Sequence, residues 1–314
     1  MKPEILVLGS VWSAEVRERV EAAFACHFMP GVADANDANF ASIAARIRGV
    51  LTTGTVGITP QLLASLPALE IVTVHGVGVD AVPLDLLAAR GIHVTNTPDV
   101  LTDDVADFAV LLLLAAVRRL PLLDRYVRDA RWPAKAPLTQ ARSLRGKVAG
   151  IVGFGRIGQA VASRLQGFGI EIRYYQRSAG PAPEKRSDSL LALAQESDML
   201  VLCMPGGSDT TRMVGAEVFE ALGPDATLVN IARGSVLDQA ALIAALESGR
   251  LGAAGLDVFE HEPQVPAALR AMDNVVLTPH VGSFTVEARR AMGRLALDNL
   301  VAHFAGAPLP TPVK

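Results

Sequence analysis

Short apolar runs rich in Val, Ile and Leu alternate along the chain with longer stretches in which apolar residues recur at helical spacing. The first such series predicts strands at 5–8, 49–53, 71–75 and 93–97, with helices near 13–24, 60–65 and 83–90. A second series predicts strands at 148–152, 172–175, 199–203, 227–231, 255–258 and 275–277. Strands that alternate with helices build parallel sheets from βαβ units, so the pattern predicts an α/β protein with two doubly wound domains. A helical stretch over 102–118 crosses between them, with Thr102 placed as its N-cap and Asp103 and Asp104 in the first turn, at the positive end of the helix dipole. A last helix over 286–304 is expected to return to the first domain. The division is therefore 1–101 with 284–314 for one domain and 102–283 for the other.

Composition narrows the picture. At 314 residues the chain exceeds the roughly 250 at which a single core stops growing. Half of its residues are hydrophobic and 19% are charged, as in a well-packed globular protein. A net charge of -3 and scattered arginines argue against nucleic acid as a partner. Cys26 and Cys203 are too few for a disulfide framework and neither sits in a C-x-x-C motif. His27, His75, His93, His261 and His303 lack ligand spacing, so no metal is expected. The apolar run 108–117 is about half a membrane span, and the N-terminus lacks the apolar core and cleavage site of a signal peptide. A cytoplasmic protein with no membrane partner is expected.

The most specific motif is Gly153-Phe154-Gly155-Arg156-Ile157-Gly158, a G-x-G-x-x-G that directly follows a strand and opens a helix. That context turns a common glycine pattern into a dinucleotide fingerprint: the first glycine permits the tight turn, the second admits the pyrophosphate, and the third lets helix and strand pack closely. The alternative is an ordinary glycine-rich βα turn. About twenty residues on, an NAD enzyme carries an acid for the ribose 2′-hydroxyl, whereas this chain has Gln176-Arg177-Ser178. An amide, a guanidinium and a hydroxyl can all bond to a 2′-phosphate, which predicts NADP(H) over NAD(H). The competing reading makes Arg177 a surface arginine indifferent to cofactor.

Three further polar residues follow strands of the same domain: Arg233, Glu262 and His280. The carboxyl ends of strands in an open parallel sheet face the ligand crevice, so all three can point to one place. Reduction of a 2-oxo acid needs a proton donor for the developing alkoxide and a cation for the carboxylate. His280 fits the donor, Glu262 the group that orients and charges the imidazole, and Arg233 the carboxylate anchor. Each has a plainer reading: a histidine capping a turn after Thr-Pro, a solvated Glu before Pro263, an Arg closing a helix N-terminus. His75-Gly76-Val77-Gly78-Val79-Asp80 closes a strand of the first domain, and its backbone amides suit a carboxylate, unless it is a simple turn with Asp80 as a helix cap.

Over essentially its whole length the chain resembles the D-isomer-specific 2-hydroxyacid dehydrogenases. The resemblance rests on Gly76 to Asp80, Asn96-Thr97-Pro98, Gly153 to Gly158, Asn230-Ile231-Ala232-Arg233-Gly234, the segment from Gly255 to Pro263, and Pro279-His280-Val281-Gly282-Ser283. Within that family it is most similar to the glyoxylate/hydroxypyruvate and hydroxyphenylpyruvate reductases. The resemblance implies a split, flavodoxin-like substrate domain, an inserted Rossmann cofactor domain and a homodimer built on the cofactor domains. It implies that Arg233, Glu262 and His280 are catalytic and that the amides of Val77 and Gly78 anchor the substrate carboxylate. Leu51, Thr53, Leu101 and Trp132 are expected to shape the pocket, with Trp132 on an arm toward the partner subunit or else in the dimer core. Cofactor contacts are expected at Thr102, Gly153, Phe154, Gly155, Arg156, Ile157, Gln176, Arg177, Ser178, Cys203, Pro205, Thr210, Ile231, Ala232, Arg233, Asp257, His280, Gly282 and Ser283. The chain departs from the family after Met204-Pro205, where Gly206-Gly207 replaces the usual Leu-Thr and leaves Thr210 as the nearby hydroxyl. A different class of function, a nucleotide-sensing corepressor or scaffold on the same fold, keeps the same polar residues and is separated by an assay for oxo-acid reduction.

Overall fold

The computed structural model describes residues 2–9, 13–29, 38–178, 180–182 and 185–313. The chain folds as two compact units, Met1–Leu101 with Phe284–Lys314, and Thr102–Ser283.

The first unit opens with β1 (Glu4–Leu8), α1 (Ala14–Ala23), β2 (Ala25–Met29), α2 (Ala38–Ala44), β3 (Ile47–Thr53), α3 (Pro60–Ala64), β4 (Ile71–His75), α4 (Leu84–Ala89) and β5 (His93–Thr95). Its five strands are parallel in the order β2-β1-β3-β4-β5, the flavodoxin-like arrangement. The strand β2 is absent from the hydrophobic pattern: it lies at the sheet edge, where Ala25, Cys26 and His27 are only half-buried and the apolar signal is weak. Alternate residues of each strand serve opposite faces. Ile5, Val7, Leu51 and Ile71 pack with Val16, Val20 and Phe24 on one side, while Leu6, Leu8, Val50, Val72 and Val74 pack with Phe40, Leu62 and Leu66 on the other. Leu51, expected to line a substrate pocket, is 1% exposed in the first of these cores and does not reach a surface. The N-cap position of α4 is Pro83, with no side-chain cap bond, so Asp80 does not cap that helix.

The second unit begins with α5 (Thr102–Val117) and α6 (Leu120–Arg128). Helix α5 starts at Thr102 itself, so this threonine is its first helical residue rather than the cap before it. Then come β6 (Val148–Val152), α7 (Arg156–Gln166), β7 (Glu171–Tyr175), α8 (Leu190–Gln195), β8 (Met199–Leu202), α9 (Ala216–Leu222), β9 (Thr227–Asn230), α10 (Gln239–Glu247), β10 (Ala253–Leu256), α11 (Ala267–Ala271) and β11 (Val275–Leu277). The six strands are parallel in the order β11-β10-β9-β8-β6-β7. Beyond β7 a bridge joins Tyr174 and Arg186, held by the Ser187 amide donating to the Tyr174 carbonyl at 2.9 Å. Strand order reverses at β6, which opens the ligand crevice at its carboxyl end.

The last helix, α12 (Val286–Phe304), lies in the first unit and is capped by Thr285, whose hydroxyl accepts from the Ala288 amide. Ala296, Leu297 and Leu300 complete the core around Ile5. Gly293 lies against Val16 so closely that a Cβ would sit 2.6 Å from a valine methyl. The C-terminal tail covers the edge of β5: Val313 donates to the Val94 carbonyl at 2.8 Å, beside a Thr95–Pro312 bridge. Among the described residues no helix is long and apolar enough to cross a membrane, and no group of three or more His, Cys, Asp or Glu is placed to hold a metal ion.

Candidate active site

The carboxyl ends of the strands of the second unit carry nearly all the polar residues of interest. At the end of β6, Gly153 adopts φ +89°, and a Cβ there would meet the Met204 backbone at 2.7 Å. Gly158 is equally constrained, because its Cβ would lie 2.1 Å from the Gly153 carbonyl oxygen. Gly155 differs: a Cβ there meets nothing within 4 Å. It is the N-cap of α7 and supplies no side-chain cap, which leaves the first-turn amides of that helix to an external acceptor. Two crowded glycines flanking an open one above a helix N-terminus fit the pyrophosphate of a dinucleotide. Phe154 can contribute only its backbone, since its ring is buried and stacked on Tyr174 with centroids 4.1 Å apart.

The turn after β7 closes one side of this cradle. Gln176 accepts the Phe154 amide on Oε1 at 3.2 Å and so helps to shape the glycine loop. Arg186 Nη2 donates to the carbonyls of Gln176 at 3.1 Å and Arg177 at 3.5 Å, pinning the turn from below. Arg177 and Ser178 are exposed, and Arg177 Nη1 reaches Asp209 Oδ2 at 2.6 Å. Arg186 and Asp209 carry no motif signal and were missed by sequence reasoning.

After β8, Cys203 is held by its amide to the Val152 carbonyl, and burial pushes its thiol up to about 12, so it stays a protonated, unreactive thiol. Thr210, expected near the pyrophosphate, is buried, and its hydroxyl lies within hydrogen-bond reach of the carbonyls of Pro205 (3.0 Å) and Gly207 (3.2 Å). It closes its own turn and is not directed at a ligand.

After β9, the buried side chain of Asn230 clamps the loop that carries Arg233. It accepts the Ala232 amide at 3.0 Å and donates to the Arg233 carbonyl at 2.9 Å. Ile231 and Ala232 are buried, whereas Arg233 is partly exposed. Gly234 allows this loop to pass against the next one, since a Cβ would lie 1.9 Å from the Phe259 backbone.

After β10 and β11 the chain brings Glu262 and His280 together. Glu262 Oε2 lies 2.8 Å from His280 Nδ1, and Glu262 Oε1 accepts the Phe259 amide at 3.0 Å. Burial raises the Glu262 pKa, but the hydrogen bond and charge of His280, the Phe259 amide and the nearby Arg233 outweigh it and hold the carboxyl below its ordinary value. Arg233 is thus close enough for its charge to act at Glu262. His280 itself sits at φ +56°, a left-handed conformation that costs energy for any side chain but glycine.

That conformation is held by Asp257, which is 2% exposed. Its carboxylate accepts from Val281 N at 2.9 Å, Gly282 N at 2.8 Å and Thr278 Oγ1 at 2.7 Å, while its carbonyl accepts the His280 amide at 2.8 Å. Asp257, expected to touch the cofactor, also positions the His280 loop. The sequence signal for this role was the Leu256-Asp257-Val258 run itself, an acid embedded in a buried strand end.

In the first unit, the 76–80 loop is pinned at its start. Thr97 Oγ1 accepts the Gly76 amide at 2.9 Å, and Asn96 Nδ2 donates to the Val77 carbonyl at 2.8 Å. Among the described residues nothing accepts from the amides of Val77 or Gly78. Trp132, in the turns after α6, is 68% exposed, in company with exposed Leu120, Val127 and Leu138.

Comparison with known proteins places these features in a family. Residues 110–282 match the family model for the D-isomer specific 2-hydroxyacid dehydrogenase NAD-binding domain. The chain is 42% identical over 314 residues to a 2-ketogluconate reductase of Gluconobacter oxydans (strain 621H), covering 99% of each. It is 48% identical over 268 residues to a hydroxyphenylpyruvate reductase of Plectranthus scutellarioides, covering 85% of each. Among solved structures, an NADPH-dependent glyoxylate/hydroxypyruvate reductase from Sinorhizobium meliloti, in complex with NADP and malonate, superposes with a TM-score of 0.93 at 41% identity, covering 100% of this chain and 97% of that one.

Proposed function

This chain belongs to the D-isomer specific 2-hydroxyacid dehydrogenase family, and we propose on that premise that it reduces glyoxylate, hydroxypyruvate or a related 2-oxo acid to the D-2-hydroxy acid, with NADPH preferred over NADH. The observation that carries the reading is the 2.8 Å pair of Glu262 and His280, set at the strand ends of the unit whose glycine loop fits a dinucleotide. When bound, the nicotinamide cofactor supplies the hydride that reduces the carbonyl carbon. The work of the protein is to hold the acid and manage the proton.

Arg233 binds the carboxylate and draws electron density from the carbonyl oxygen; its planar fork offers two parallel hydrogen bonds to the carboxylate. With Nδ1 turned to Glu262, the imidazolium of His280 presents Nε2–H outward and gives that proton to the alkoxide oxygen. Glu262 stays ionised because its pKa is lowered, and so stabilises the charged ring before transfer and fixes the orientation of the neutral ring after it. In oxidation of the hydroxy acid the same nitrogen takes the proton back. In the first unit, the amides of Val77 and Gly78 suit a carboxylate.

Three finer points belong to the same reading. Arg177 and Ser178 favour NADPH, in line with the basic turn and with the NADP bound by the Sinorhizobium meliloti reductase. The inserted unit is the cofactor domain and the split unit the substrate domain. The exposed apolar side chains of Leu120, Val127, Trp132 and Leu138 support a homodimer built on the cofactor unit. The test is absorbance at the nicotinamide band with purified protein, NADPH and a panel of 2-oxo acids. Oxidation above background supports enzymatic reduction, and none with any member favours a nucleotide-sensing role.

A further inference from the structure

We propose that Asp209 sets how strictly the site distinguishes NADPH from NADH, by holding Arg177 as an internal substitute for the 2′-phosphate. The inference rests on the reading that Arg177 meets that phosphate.

The geometry sets Arg177 apart among the described residues of this turn. The turn after β7 is fixed by Arg186, which donates to the carbonyls of Gln176 and Arg177, and by Gln176, whose side chain accepts the Phe154 amide. Among the described residues of this turn, Arg177 carries an exposed guanidinium that is not tied to the carbonyls of the turn. Its guanidinium is taken by Asp209 at 2.6 Å. Asp209 stands on an equally fixed support: Gly207 at φ +137° turns the chain, the Thr210 amide and the Thr211 hydroxyl donate to the Gly207 carbonyl, and the Thr210 hydroxyl lies 3.0 Å from the Pro205 carbonyl. The carboxylate is presented at a defined place across from the cofactor turn.

Both partners are about two-thirds exposed, at 64% and 69%. An ion pair in that setting is weak and opens readily for a competing anion. A 2′-phosphate, carrying nearly two negative charges at neutral pH, gains Arg177 but must displace Asp209 and then lie beside it. A ribose 2′-hydroxyl has a proton to donate, which the same carboxylate accepts. Asp209 thus penalises NADPH and assists NADH, and the chain discriminates less than its basic turn alone would give.

The test measures the dissociation constants of NADPH and NADH by nicotinamide fluorescence, without substrate, for the unmodified protein, Asp209→Asn, Asp209→Glu, Arg177→Ala and the Arg177→Ala/Asp209→Asn double variant. Because both side chains are exposed, the variants fold, and a thermal melt checks it. Asp209→Asn is expected to bind NADPH about three- to fivefold more tightly, the upper part of the range of a surface ion pair, and NADH no more tightly. Asp209→Glu should stay near the unmodified protein, and the NADPH gain should fall below about twofold in the Arg177→Ala background and at high salt. An NADPH/NADH ratio in Asp209→Asn that stays within about twofold of the unmodified protein overturns the proposal. So does a gain that persists in full without Arg177. If Arg177→Ala leaves NADPH binding unchanged, the reading of Arg177 itself fails, which is a separate result from a silent Asp209.

Discussion

The buried carboxylate of Asp257 accepts the Gly282 amide at 2.8 Å, fixing the backbone two residues beyond His280. The same side chain takes the Val281 amide and the Thr278 hydroxyl, so one acid holds the loop on both sides of His280. His280 stays in its left-handed conformation because this set of bonds over-determines it.

Asp257→Asn replaces one acceptor oxygen with a donor and leaves a buried amide or hydroxyl without its partner. We expect kcat to fall on the order of 10- to 100-fold through misplacement of the imidazole, with loss of about 1–3 kcal/mol of stability. Steady-state kinetics with a thermal melt checks both. A variant with full kcat and an unchanged melt would show that Asp257 does not position His280.

The glycine loop gives a paired test. Gly155→Ala has room, so the fold should be unaffected while the methyl occupies the space assigned to the pyrophosphate and weakens dinucleotide binding by tenfold or more. Gly158→Ala drives a methyl into the Gly153 carbonyl and should lower the melting temperature as well. Calorimetry and cofactor titration separate the two. Equal effects of both substitutions on stability would contradict the assignment.

The first unit should lose stability in mild acid. His75 is 5% exposed, and burial, helped by the charge of Arg289, lowers its pKa to about 4 from an ordinary 6.5. Between these values the unfolded chain binds a proton that the folded chain refuses, so stability is intact above about pH 6.5 and falls as pH drops toward 4. The loss approaches about 3 kcal/mol. Chemical unfolding of the protein and of His75→Gln across that window checks it; the same slope in both would contradict the assignment to His75.

Much of this site was legible because its residues sit at strand ends in a parallel sheet, where a short apolar run followed by Gly, Arg, Glu or His is a local signal. Gly153 to Gly158, Arg233 and the residues Glu262 and His280 stand out in that way, and the alternation of runs implied both doubly wound sheets. What escaped was set by contacts distant in sequence. Leu51 lies near the end of a strand but inside it, and the sheet is covered on both faces there. Thr210 has the right chemistry but bonds to its own turn. Asp209 lies 32 residues from Arg177, and no periodicity links them. Strand β2 lacks an apolar run because an edge strand need not bury both faces.

The claim that His280, held by Glu262, delivers the proton in 2-oxo-acid reduction is tested most directly by kcat/KM with NADPH and hydroxypyruvate or glyoxylate for the unmodified protein and His280→Gln. The expected result is measurable reduction by the former and a loss on the order of 10²- to 10⁴-fold in the variant, with NADPH binding within about threefold of normal. Equal rates in the two proteins would contradict it.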